Sequence, residues 1–178
     1  MSTAESRPVS DTARLYVVMG VAGCGKSSVG AAVARKFGAT YLDGDDFHPP
    51  RNIDKMSRGE ALTDDDRWPW LKIVAREMAA RPGKVFAGCS ALRRIYRDTI
   101  AEVAGEPVTF VFLDGTRDLI AERMNAREGH FMPLSLLDSQ FAALEKPEPD
   151  ERAIVVDISK DQAQVVEDIC AQIGKDGP

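Results

Sequence analysis

The run Gly20-Val-Ala-Gly-Cys-Gly-Lys26-Ser27 fits the pattern GxxxxGK[ST], and it lies between the apolar stretch 15–19 and a segment in which Val29, Val33 and Phe37 recur at helical spacing. That order of strand, glycine-rich loop and helix constrains the fold more than any other feature of the chain. A short run of β-formers reads as a strand buried on both faces, and the glycines allow a turn whose backbone N–H groups face inward. The helix that follows points its positive end at the same spot. Together they form a cradle for the phosphates of a nucleotide, with Lys26 reaching the β- and γ-phosphates and the Ser27 hydroxyl ligating Mg²⁺. Gly20, Gly23, Cys24, Gly25, Lys26, Ser27 and Ser28 are therefore the nucleotide-binding candidates, Cys24 only through its place in the loop.

The alternation continues along the chain. Short β-rich runs at 40–42, 85–87, 108–113 and 154–156 are separated by helical stretches marked by Leu71, Val74 and Met78, by Leu119, Ile120 and Met124, and by Val166, Ile169 and Ile173. Strands alternating with helices predict an α/β fold, a three-layer sandwich with a five-stranded parallel sheet and helices on both faces. At 178 residues the chain is one domain's worth of protein, expected to span 14–178 behind a flexible tail over 1–13. Two segments interrupt the alternation, a polar stretch at 44–70 and a short Gly- and Pro-punctuated one at 127–133. Both read as excursions over the carboxyl edge of the sheet, where open α/β folds bind ligands.

Charge and cysteine usage narrow the partners. With 23 basic and 28 acidic residues the net charge is −5, which argues against nucleic acid or an anionic membrane as a partner. The three cysteines, Cys24, Cys89 and Cys170, form no CxxC pair, so no disulfide framework or zinc site is indicated and a cytoplasmic location is expected. No run approaches the roughly 18 apolar residues of a membrane span.

A phosphate loop serves many chemistries, so the acceptor side must decide. Asp43 and Asp45, in Leu42-Asp-Gly-Asp45, stand two apart at the end of the second strand, which is expected next to the loop-bearing strand. One carboxylate can hold Mg²⁺ directly or through water, and the other can accept a proton from an attacking hydroxyl. His48, Arg51, Lys55, Arg67, Arg93 and Arg94 cluster around strand ends in an otherwise acidic chain, which suggests an anionic acceptor such as a carboxylate. Arg123 and Arg127 approach and enter the 127–133 segment, where a lid could bring guanidinium groups onto the transferring phosphoryl. Thr63 reads as the N-cap of a helix whose first turn carries Asp64 and Asp65, and Trp68-Pro-Trp70 as packing that ties the excursion to the core. The rival readings are a kinase of the same fold with another small hydroxy acid such as shikimate, and a nucleotide-binding module without turnover.

Taken in order, Gly20 to Ser27, Leu42-Asp-Gly-Asp45, His48-Pro49, Arg51-Asn-Ile-Asp-Lys-Met56, Gly59 to Arg67, Pro69-Trp-Leu71, Cys89-Ser-Ala-Leu92, Tyr96-Arg-Asp98 and Ala126 to Phe131 resemble the gluconate kinase (gluconokinase) family. The resemblance runs from about residue 15 to 173. It implies a nucleoside monophosphate and shikimate kinase-like P-loop fold with a lid, ATP and Mg²⁺ as cofactors, D-gluconate as the acceptor and a homodimer. It further implies Asp43 for magnesium, Asp45 for the acceptor hydroxyl, Arg127 for the lid and the loop after Val156 for adenine. Lys26, Asp45 and Arg127 are then the catalytic candidates, and His130 joins the acceptor-binding set.

Overall fold

A computed structural model describes residues 13–126 and 134–175 of the chain. Five parallel strands, β1 (Leu15–Met19), β2 (Thr40–Asp43), β3 (Val85–Gly88), β4 (Val108–Asp114) and β5 (Ala153–Asp157), make one sheet in the order β2-β3-β1-β4-β5. Seven helices connect or flank them among the described residues: α1 (Lys26–Lys36), α2 (Pro50–Ser57), α3 (Asp64–Ala79), α4 (Arg94–Ala104), α5 (Arg117–Asn125), α6 (Leu134–Ala143) and α7 (Gln162–Lys175).

Every residue of β1 is buried, as a central strand covered on both sides requires. Its alternation divides the molecule into two cores. Tyr16 and Val18 face one side, where they join Val29 and Val33 of α1 and Val165, Ile169 and Ile173 of α7. Leu15, Val17 and Met19 face the other, among Leu71, Val74 and Met78 of α3 and Tyr96 and Ile100 of α4. Each such side chain, fully withdrawn from water, contributes about 1.5–3 kcal/mol before entropy is counted. The three-layer sandwich expected from the sequence is the fold observed.

One expectation is corrected. The second strand does not lie next to the loop-bearing strand, because β3 stands between them, pairing Thr40 to Asp43 on one side and Leu15 to Val18 on the other. The crossover helix α1 packs over both β2 and β3. The chain leaving β1 therefore comes down one place further out, and β3 fills the gap.

The 44–70 excursion is helical. It comprises a 3-10 turn at Gly44–Phe47, then α2, then the first turns of α3, which begins seven residues before the Leu71 periodicity and runs through Pro69. Thr63 caps α3 as expected. Its hydroxyl accepts from the Asp66 N–H at 3.2 Å while the Asp66 carboxylate accepts from the Thr63 N–H at 2.9 Å, a reciprocal capping box. The 127–133 segment, with Arg127 and His130, lies outside the described residues.

Candidate active site

The phosphate loop ends at Gly25, which caps α1 with φ 96 and ψ 20. A side chain would be strained in that left-handed conformation, so glycine is the residue that lets the chain turn into the helix. No side chain caps α1. Its first N–H groups thus stay open at the positive end of the helix dipole, the arrangement an anion needs. The Lys26 ammonium folds back over the loop and donates to the Gly20 and Val21 carbonyls at 3.0 Å each.

Across from the loop, the carboxyl end of β2 brings both aspartates to the same place. Asp43 Oδ2 lies 3.5 Å from the Ser27 hydroxyl, and Asp43 Oδ1 accepts from the Asp45 N–H at 3.0 Å. The 3-10 turn that carries Asp45 is pressed against β3: a Cβ at Gly44 would meet the Gly88 carbonyl oxygen at 2.2 Å. The Trp70 indole N–H donates to the Gly44 carbonyl at 2.8 Å and fixes the turn from above.

The imidazole of His48 is buried and stacks on Trp70 with ring centroids 3.9 Å apart. The Asn52 amide donates to the Asp66 carbonyl at 2.9 Å and faces His48 Nδ1 at 3.2 Å, so Nδ1 accepts and the proton is left on Nε2. Nε2 in turn stands 3.6 Å from Asp45 Oδ1. That contact, with help from the Lys26 charge, holds Asp45 below the ordinary aspartate range. The Asp45 side chain nonetheless keeps 77% of its surface exposed, so an ionised carboxylate faces the open space between loop and excursion.

That space is a cleft of about 370 Å³. Loop residues Gly23, Gly25, Lys26, Ser27 and Ser28 line one side of it, and Asp45, His48 and Arg67 line the other. The arginine and lysine acceptor candidates also meet partners within the fold, and of them Arg67 alone lines the cleft. Lys55 donates to the buried Asp66 at 2.7 Å and Arg51 lies 3.2 Å from the other Asp66 oxygen; Lys55 first, and then the Thr63 cap, depress the Asp66 carboxyl strongly. Arg67 donates to the Tyr96 hydroxyl at 3.2 Å, Tyr96 donates to Asp64, and Arg93 stands 3.9 Å from Asp64. Asp64 thus ties α3 to α4 in addition to serving the helix dipole. Arg94 turns to Asp150, donating at 3.0 and 2.6 Å, and does not line the cleft.

A second groove, also about 370 Å³, adjoins the loop. Gly23, Cys24, Gly25 and Arg123 line it together with Ile158 and Lys160 from the loop after β5. Arg123 donates to the Ile158 carbonyl, which joins α5 to that loop. Cys24 and Cys89 are buried, and burial pushes the Cys89 thiol up to about 12.

Several contributors escape sequence reasoning. Ser90 and Leu92, on the loop after β3, line the cleft, as do Leu136, Ser139 and Gln140 of α6. Between Ser90 and Leu92, Ala91 adopts φ 45, and its carbonyl accepts from Arg97 at 2.9 Å. Arg97, whose side chain is 1% exposed, also donates to Glu151, itself 7% exposed, at 2.7 and 3.1 Å. Helical spacing could have flagged α6; the pairing of residues 54 positions apart leaves no local mark.

Residues 15–147 match the model of the AAA domain family. The thermosensitive gluconokinase of Escherichia coli is 46% identical over 157 residues, covering 85% of this chain and 83% of that protein. The gluconokinase of Gluconobacter oxydans is 43% identical, covering 88% and 89%. Among solved structures, a gluconokinase from Sinorhizobium meliloti superposes with a TM-score of 0.85 at 48% identity, covering 90% of this chain and 91% of that one. With relatives of this identity covered along most of their length, and a phosphate loop of the kinase type at the end of its first strand, the chain belongs to the gluconokinase family of P-loop kinases.

Proposed function

We propose that the protein is a gluconokinase that transfers the γ-phosphoryl group of ATP to the 6-hydroxyl of D-gluconate, giving 6-phospho-D-gluconate and ADP. The observation that carries this reading is that one cleft holds the phosphate loop on one wall and the Asp45–His48 pair with Arg67 on the other. A phosphoryl donor and an anionic hydroxyl acceptor therefore meet within it.

The oxygen donors present suit Mg²⁺: the Ser27 hydroxyl and the Asp43 carboxylate are hard ligands close to each other, and Mg²⁺ commonly takes one or two protein ligands with water and phosphate completing its shell. When bound, the ion would neutralise charge developing on the phosphate oxygens. Lys26 exchanges its backbone carbonyl partners for phosphate oxygens, and the open N–H groups at the start of α1 hold the phosphate chain. Asp45, kept ionised by His48, accepts the hydrogen bond of the attacking hydroxyl and aims it. His48 itself is locked by Trp70 and Asn52, so Asp45 is aimed by a fixed partner. The transition state of phosphoryl transfer is loose, so positioning matters more than a strong base, and a low-pKa carboxylate suffices.

Arg67 takes the carboxylate end of the acceptor. Lys55 and Arg51 act through Asp66, holding α2 against α3, and Arg93 acts through Asp64. Arg123 and Ile158 frame the nucleoside groove, where Arg127 would complete the cover over the phosphates. The reading includes a homodimer and a cytoplasmic location; three free cysteines suit a reducing compartment.

The test is ADP release from MgATP with D-gluconate, beside shikimate and no-acceptor controls, with phosphorus NMR to locate the product phosphate. Gluconate-dependent turnover with a 6-phosphate resonance is expected. Turnover with shikimate but not gluconate would overturn the acceptor, and no acceptor-dependent turnover at all would overturn the kinase reading.

A further inference from the structure

Helix α6 follows the 127–133 segment and carries no nucleotide- or acceptor-binding motif in its sequence. Its two faces do different things. Leu137 is fully buried and Phe141 packs on the same core, while Leu136, Ser139 and Gln140, at i, i+3 and i+4, turn to the cleft. Arg117 of α5 donates to Asp138, bracing the helix from outside. Gln140 is thus held at a fixed depth.

Its carboxamide reaches the phosphate loop, where Oε1 accepts the Ala22 N–H at 2.6 Å. That bond settles the orientation of the amide. The oxygen faces the loop, and Nε2 keeps two N–H donors with no hydrogen-bond partner among the described residues. Ala22 lines the cleft that holds Asp45 and His48 but not the groove beside Arg123, whereas Gly23 and Gly25 line both. Gln140 and Ala22 therefore both line the cleft shared with Asp45 and His48, and neither lines the groove beside Arg123.

We propose that Gln140 is a specificity-determining contact for the acceptor: the Ala22 N–H fixes its carboxamide so that Nε2 donates to oxygens of the polyhydroxy acid, opposite Asp45, which accepts from them. The pair reads a hydroxyl as both donor and acceptor. A chain lacking hydroxyls near its reacting end would leave the Gln140 donors unpaired, which is how a site rejects an analogue that is otherwise similar in size. This rests on the gluconokinase reading above.

Gluconate binding can be followed without turnover through the fluorescence of Trp70, which lines the cleft. The comparison uses wild type, Q140L, which loses donors and acceptor alike, and Q140E, which keeps an oxygen for Ala22 but loses the N–H donors. Both variants are expected to raise the gluconate Kd and KM about tenfold or more, the scale of one or two lost hydrogen bonds, with the Kd of an unhydrolysable ATP analogue changed less than about threefold. Should Q140L fail to fold, Q140E carries the same comparison. A Q140E enzyme with wild-type gluconate Kd and KM, in a wild type that turns gluconate over, would show that Gln140 merely tethers the loop and would overturn the proposal alone. A wild type that neither binds nor phosphorylates gluconate would overturn the gluconokinase reading itself, and the assignment of Gln140 with it.

Discussion

Asp45 and Asp66 are both held below the ordinary aspartate range, yet their surroundings give them opposite uses. Asp45 owes its shift chiefly to the His48 contact and faces the open cleft, so little of the fold depends on it. Asp66 is buried and owes its larger shift to Lys55 and the Thr63 cap, so it joins α2 to α3. D45N is expected to lower kcat by about 10²-fold or more, in the range of lost acid–base or orienting groups, with an unchanged melting temperature. D66N is expected to leave catalysis by correctly folded enzyme largely intact while weakening the fold. The sign of its pH dependence follows from linkage: a folded pKa far below the unfolded value of about 3.9 gives stability that is fully present above that value and is lost as pH falls through the folded pKa. Urea midpoints should therefore differ most between wild type and D66N at pH 7, and the gap should narrow below about pH 5. A gap that widens on acidification would show that Asp66 is not the ionised partner of Lys55.

At the scale of elements, the loop after β3 depends on a pair that neither belongs to it nor touches the cleft. Arg97 on α4 holds the Ala91 carbonyl and binds Glu151, so the left-handed turn that presents Ser90 and Leu92 is set by two buried charges. Removing one of them leaves the other uncompensated in the interior, which costs about 3–5 kcal/mol. R97M is expected to lose stability on that scale in urea titration, and R97M/E151Q to recover part of it. A loss in R97M below about 1 kcal/mol would mean that Glu151 finds water or another partner. What the sequence made legible here was local: the loop, its helix and the Asp43–Asp45 spacing each lie within a few residues and carry their own periodicity or pattern. The basic residues were visible as a cluster, but their division into Arg67 on the cleft and Arg51, Lys55 and Arg94 on other carboxylates depends on partners as much as 56 positions away. The place of β2 escaped for the same reason, since strand order is set by which helix covers which strand.

At the scale of the whole molecule, the phosphate loop is a partition. Gly23 and Gly25 line both the acceptor cleft and the groove bounded by Arg123 and Ile158, while the rest of the two linings is separate. Ligands entering from the two sides should each stabilise the fold by mass action, and the residues they depend on should be separable. An unhydrolysable ATP analogue with Mg²⁺ at 100 times its Kd adds about 2.7 kcal/mol to the unfolding free energy, a rise of about 5–11 °C in Tm for a chain of this size. K26A removes the ammonium that meets the phosphates, so at the same analogue concentration its shift should fall by at least half, while the shift produced by gluconate alone should stay close to that of wild type. Differential scanning fluorimetry with each ligand singly and then together decides this. Equal loss of both shifts in K26A would mean that Lys26 shapes the whole cleft and does not serve the phosphates in particular. An undiminished analogue shift would mean that the nucleotide is held mainly by the open N–H groups of α1, leaving Lys26 to act only during transfer.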